Sequence, residues 1–130
     1  MGSQSADVPR SGPSAAVHAQ GSALDAAELE RLERHEIAPG VSYSHLWGDT
    51  AAYAGVVWFE PGAELADHDH RRFAHHLWLA SGSMETLGRR LDPGAYAFVP
   101  VGRLHGSVAG PAGATVFYVN VAMPDTEASG

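Results

Sequence analysis

An all-β domain, sandwich or barrel, is the fold class that this sequence predicts, on three observations. From Val41 to Val121 short β-rich runs recur at spacings of about 8 to 12 residues. Turn formers separate them: Pro39-Gly40, Gly48-Asp49, Pro61-Gly62, Pro93-Gly94 and Gly110-Pro111. Val41-Ser-Tyr-Ser-His-Leu-Trp47 shows alternation, the period of a strand with one face buried.

In chain order, residues 1–21 carry few large apolar groups and are punctuated by Pro9, Gly12, Pro13 and Gly21. That composition cannot offset the entropy of ordering, so a disordered tail holding His18 is expected there. The character changes at Ser22. Ser22 with Asp25 gives a capping signal, and Leu29 and Leu32 suit a short helix to Arg34 or an arm lying across a sheet. His35-Glu-Ile37 reads as an edge strand ended by Pro39-Gly40. The following strands are expected at Val41–Trp47, Tyr53–Phe59, Leu65–His70 and His75–Ala80. Ser81-Gly-Ser83 is expected to turn the chain towards Met84-Glu-Thr86, and Ala95–Val99, Leu104–Val108 and Ala114–Val121 complete about nine short strands. A single domain over residues 22–124 and a polar tail at 125–130 are therefore predicted. Strand parity puts His75, Leu77 and Leu79 on one face and His76 with Trp78 on the other; in the last strand Phe117 and Val119 oppose Tyr118 and Asn120.

Composition excludes several function classes. No cysteine is present, which removes disulfides, thiolate nucleophiles and Cys-ligated zinc and fits a reducing compartment, so a cytoplasmic protein is expected. There is no run of 18 apolar residues and no signal-peptide core, and the formal net charge of -7 argues against nucleic acid or an anionic membrane as partner. All eight basic residues are Arg, a hint of a GC-rich genome.

The residues that carry chemistry are histidines. His68, His70, His75 and His76 fall within nine positions. In His68-x-His70 both rings leave one face of a strand, as a shared cation requires, and His75 or His76 would return on a neighbouring strand. The stretch Gly62 to Gly82 resembles the first cupin motif. Gly94-Ala-Tyr-Ala-Phe-Val-Pro100-Val-Gly102-Arg-Leu-His105 resembles the second, in the right order and spacing. The resemblance implies a double-stranded β-helix, a jelly-roll-like cupin barrel, with metal held by His68, His70, His105 and, where the motif has Glu, His75. The six residues from His76 to Ser81 before Gly82 select His75 over His76, and Ala109 stands where the motif often has Asn.

Four neutral imidazoles would leave a cation its full charge and make it a strong Lewis acid. The pattern is similar to the zinc-binding cupin cyclases of actinomycete aromatic-polyketide pathways. That resemblance implies Zn2+ and an aldol-type ring closure of a polyketide-like substrate, with His70 and His75 as candidate catalytic groups. An Fe2+ or Mn2+ dioxygenase, a Ni2+ site, and a non-catalytic binding or sensor module are the alternatives. Small cupin barrels commonly bury an outer sheet face, so a homodimer is expected. Tyr53, Trp58, Phe73, Trp78, Tyr96, Phe98, Phe117 and Tyr118 are candidates for the cavity wall, most of them expected to serve as core packing. Tyr43, Tyr53 and Tyr96 could each bring a phenol as an acid. His35, His45, Glu60 and Glu64 receive no role, and Arg71 and Arg72 read as a solvated rim.

Overall fold

The computed structural model describes residues 21–68 and 72–123, with the backbone alone at 67 and 68. The expected tails therefore lie outside the described residues, apart from Gly21. Helix α1 (Ala26–Glu30) is capped by Asp25, whose carboxylate accepts from the Glu28 N–H at 2.8 Å while the Glu28 carboxylate accepts from the Asp25 N–H at 2.8 Å. The cap thus lies one turn later than Ser22, where a Glu three residues on is long enough to reach back. The helix and the arm both form. After α1 the Glu33 carbonyl accepts from the Ser44 hydroxyl, and the Arg34 guanidinium sits 3.8 Å from the centre of the Trp58 ring.

Eight antiparallel strands follow: β1 (His35–Ala38), β2 (Val41–Gly48), β3 (Ala52–Phe59), β4 (Glu64–His68), β5 (Phe73–Thr86), β6 (Arg89–Leu91), β7 (Tyr96–Val99) and β8 (His105–Ala122). The main path runs β1-β2-β3-β8-β5-β6, with β4 on β8 and β7 on β5. Among the described residues this path ends on β1 and β6 without joining them, so the jelly-roll-like fold is as expected while the expected barrel is corrected to an open antiparallel sheet.

Two long strands replace four expected short ones. The Ser81-Gly-Ser83 turn is absent: β5 passes through it, with register shifts at Leu79/Ser81 and Gly82/Met84, and β8 likewise runs through Gly110-Pro111. The early part of β5 pairs with β7 and with the late part of β8, which also pairs with β3. The late part of β5 pairs with β6 and with the early part of β8, which also pairs with β4. Each long strand therefore belongs to two layers and bends between them at bulges, where one strand holds an unpaired extra residue.

Gly82 and Gly113 make the bend feasible. Both have positive φ, 78° and 80°, and a β-carbon on Gly82 would collide with the Gly113 carbonyl. Strand β6 was missed because its turn is Leu87-Gly88, with φ of 52° and 76°, a two-residue hairpin lacking the usual Asn-Gly or Asp-Gly signal.

The core lies between the layers. Val41, Phe59, Leu79 and Val116 from the first meet Met84 and Ala109 from the second, and Tyr53, Phe73 and Tyr118 form a neighbouring cluster. No described helix is long and apolar enough to cross a membrane.

The two glycine environments predict different costs. Gly88 has positive φ but open space around a β-carbon, so Gly88→Ala should lower unfolding free energy by about 1 kcal/mol. Gly82→Ala adds a collision with backbone and should cost about 3 kcal/mol or more. Urea unfolding of the two variants measures the difference, and equal costs would reject the close crossing.

Candidate functional site

A cavity of about 150 Å³ lies between the layers. Inward-facing positions of alternate parity build it: Tyr53, Val57 and Phe59 of β3, His75 and Leu77 of β5, and Val116, Tyr118 and Asn120 of β8 on one side. Leu65, Met84, His105 and Ser107 supply the other side, with Ile37 and Tyr43 from the edge strands. The walls are mainly apolar. Their polar groups include two buried imidazoles, His75 and His105, and the buried amide of Asn120.

The register of β5 on β8 sets His75 opposite Asn120, and the His75 Nδ1–H donates to Asn120 Oδ1. With Asn120 Oδ1 as the acceptor, the proton of this bond is on Nδ1. The His105 ring stands edge-on to His75, with centroids 5.4 Å apart and planes at 70°. Below them Ser107 Oγ–H donates to Thr86 Oγ1 at 3.3 Å, and the Thr86 hydroxyl donates to the Gly106 carbonyl at 2.8 Å.

The aromatic wall is equally specific. Tyr53 meets Tyr118 edge-to-face at 6.2 Å and 82°, and meets Phe73 in the same way at 5.2 Å and 79°. Gly55 is the residue that fits within β3, because a β-carbon there would lie 2.4 Å from the Ser44 carbonyl oxygen and 2.5 Å from the Tyr118 hydroxyl. Burial first, and then the neighbouring Tyr53 and Tyr43, push the Tyr118 hydroxyl well above the usual phenol range, so it remains neutral. Burial and nearby His35 hold the His45 imidazole below its ordinary range.

The expected site is brought together only in part. His75 and His105 face one cavity. The backbone register of β4 on β8 sets His68 opposite His105, but the side chain of His68, and all of His70, lie outside the described residues. Among the described residues no three His, Asp or Glu side chains group to hold a metal ion. The four-histidine zinc centre is corrected accordingly, and with it the metal-dependent cyclase, its dioxygenase alternative, and Zn2+, Fe2+, Mn2+ or Ni2+ as cofactor. Beside His75 the described ring is that of His105, while the side chain of His68 and all of His70 lie outside the described residues.

Other expectations sort by face. Tyr53 and Tyr118 line the cavity, and Phe73 supports them, whereas Trp58 packs beneath Arg34. Trp78, Tyr96 and Phe98 are on the outer face, with His76 Nδ1 and the Tyr96 hydroxyl hydrogen-bonded at 2.7 Å. Arg72 is exposed; Arg71 lies outside the described residues. Sequence reasoning gave Asn120, Ser107 and Leu65 no role. Asn120 did carry a signal, an amide at an inward position of the otherwise apolar run Phe117-Tyr-Val-Asn-Val121.

Comparison with known proteins follows this geometry. The family described as the ChrR cupin-like domain matches residues 22–124, and no curated protein matches the chain. An RmlC-like cupin from Shewanella frigidimarina is 25% identical, covers 75% of this chain and 90% of its own, and has a TM-score of 0.65. A chain in the complex of Rhodobacter sphaeroides SigE with the anti-sigma ChrR is 20% identical over 88% of this chain and 69% of its own, with a TM-score of 0.65. The polyketide cyclase RemF from Streptomyces resistomycificus is 19% identical over 77% of this chain and 80% of its own, with a TM-score of 0.63. The last two likenesses are of fold alone.

Replacing Asn120 by the near-isosteric Leu would leave the His75 Nδ1–H buried without its acceptor. Asn120→Leu should therefore destabilise the fold by about 1–3 kcal/mol, whereas Asn120→Asp, which keeps an acceptor, should retain the His75 contact. Denaturant midpoints combined with the His75 imidazole proton resonance check both outcomes.

Proposed function

The chain belongs to the ChrR cupin-like domain family, and on that premise we propose that it is a non-catalytic module binding a small, largely apolar molecule between its two layers. The observation that carries this reading is the cavity itself: an apolar space with a few convergent polar groups, the usual make-up of a ligand pocket. Its described walls include no Asp, Glu or Lys, and apolar side chains make up most of them, which suits holding an apolar molecule.

A second copy of the chain is the partner we propose, on a different observation. On the outer face Trp78, Tyr96 and Phe98 are 41%, 48% and 44% exposed. Their register continues onto half-buried Phe117 and Val119. This is a contiguous apolar surface of the kind that marks association. None of these groups carries a formal charge, and in a chain of net charge -7 two copies repel least where they meet through such a face.

Benzene tests the binding reading, because it needs apolar space and nothing else. Methyl resonances of Leu77 and Val116 should shift saturably on titration with benzene, and Leu77→Trp, which fills the cavity, should abolish the shifts. Unchanged methyl resonances in the wild-type chain would reject the reading. For the partner, light scattering should give a dimer mass that Trp78→Glu reduces to the monomer; a monomeric wild-type chain would reject the second copy.

A further inference from the structure

His35 and His45 take no part in the site, yet the fold brings them together at its edge. Among the described residues strand β1 pairs with β2 alone, and there His35 stands opposite Tyr43. Residues directly opposite share a face, and so do residues 43 and 45 of one strand. His35 and His45 are therefore diagonal neighbours on the side of β2 that turns Tyr43 to the cavity. The His35 ring lies against that of Tyr43, with centroids 5.5 Å apart, and His45 is half-buried opposite Gly55.

Strand β1 is a strap tied at both ends. Before it the Ser44 hydroxyl donates to the Glu33 carbonyl and Arg34 covers Trp58; after it the Glu60 N–H donates to the Gly40 carbonyl at 2.8 Å. Between these ties lie four residues, three of them exposed, and Ile37 is the one that reaches the cavity wall. Ile37 is itself 44% exposed, so little apolar burial holds the middle of the strap.

Protonation acts on that weak middle. Burial first, and then nearby His35, hold the His45 imidazole below its ordinary range, so the closed strap favours the neutral ring. An open strap, with the ring in water, takes up the proton that the closed one excludes, and opening becomes easier as pH falls below about 6.5. The described titratable groups facing the pair are phenols: Tyr43 of β2, Tyr53 of β3 and, behind Gly55, Tyr118 of β8. A phenol brings no negative charge in acid. Glu36 stands opposite Ser42 on the other face, and Glu30 is paired with Arg34.

We propose that His35 and His45 make β1 an acid-released strap: their protonation sets two like charges side by side, β1 leaves β2 between its ties, and the cavity opens past Ile37. The device governs access and holds whatever the cavity binds, so it stands or falls apart from the binding reading.

Amide hydrogen exchange of the full chain, corrected for the intrinsic pH dependence of exchange, tests it. Between about pH 7.5 and pH 5, protection of the β1–β2 amides should fall roughly three- to tenfold while that of the β3–β8 amides holds. His45→Gln should abolish the fall and His35→Gln should reduce it, with β3–β8 protection reporting that each variant is folded. In the wild-type chain the His45 ring resonance should titrate with the same midpoint as the loss of protection. No fall in the wild-type chain, an equal fall in β3–β8, an undiminished fall in His45→Gln, or a His45 midpoint unrelated to the loss would each overturn the proposal.

Discussion

Everything in this fold depends on the pairing of β5 with β8, and on the close crossing of Gly82 and Gly113 that lets the pair bend. The ladder runs from Phe73 opposite Ala122 to Thr86 opposite Ser107. Its early part belongs to one layer and its late part to the other. The bend is a steric condition before it is an energetic one, because a β-carbon at Gly82 has no room against the Gly113 backbone. Once it is met, Leu79 and Val116 from one layer face Met84 and Ala109 from the other, and burial of these apolar side chains holds the layers together.

The same pairing makes the site. Register, and not proximity in sequence, puts His75 against Asn120 and turns both towards the cavity. Inside, a polar group must find a partner or carry the cost of desolvation. The His75–Asn120 bond meets that requirement at Nδ1, while the Tyr118 hydroxyl is kept in its neutral form by its surroundings. The enclosure is therefore polar at specific atoms without fixed charge on its described walls. On the opposite face the alternation of the same strands leaves Trp78, Tyr96 and Phe98 open to solvent. One ladder thus supplies both a cavity inside and an exposed apolar face outside.

Much of this was legible locally. Alternation marked the strands, and parity put His75 and Leu77 on one face, which proves to be the inner one, and Trp78 on the other. Where local reading failed, it failed for a consistent reason. Ser81-Gly-Ser83 and Gly110-Pro111 have turn composition, but positive φ at Gly82 and Gly113 serves bulges that bend a continuing strand. Glycine composition reports that a special backbone angle is needed; it does not report whether the chain reverses or bends. Leu87-Gly88 was the opposite case, a true hairpin turn whose leucine at positive φ is tolerated because the ladder on both sides imposes it.

The cluster of histidines from His68 to His76 draws the same line. By itself the sequence determined the all-β class, the faces of the strands and the two motif stretches, because side-chain periodicity and turn chemistry are short-range properties. Only the tertiary structure decided that the layers stay open at β1 and β6, that His75 is engaged by Asn120, and that the described groups line one mainly apolar cavity. Those outcomes rest on long-range register. Residues 75 and 120 meet because β5 and β8 pair, and no spacing within either segment records which residue of one strand will face which residue of the other.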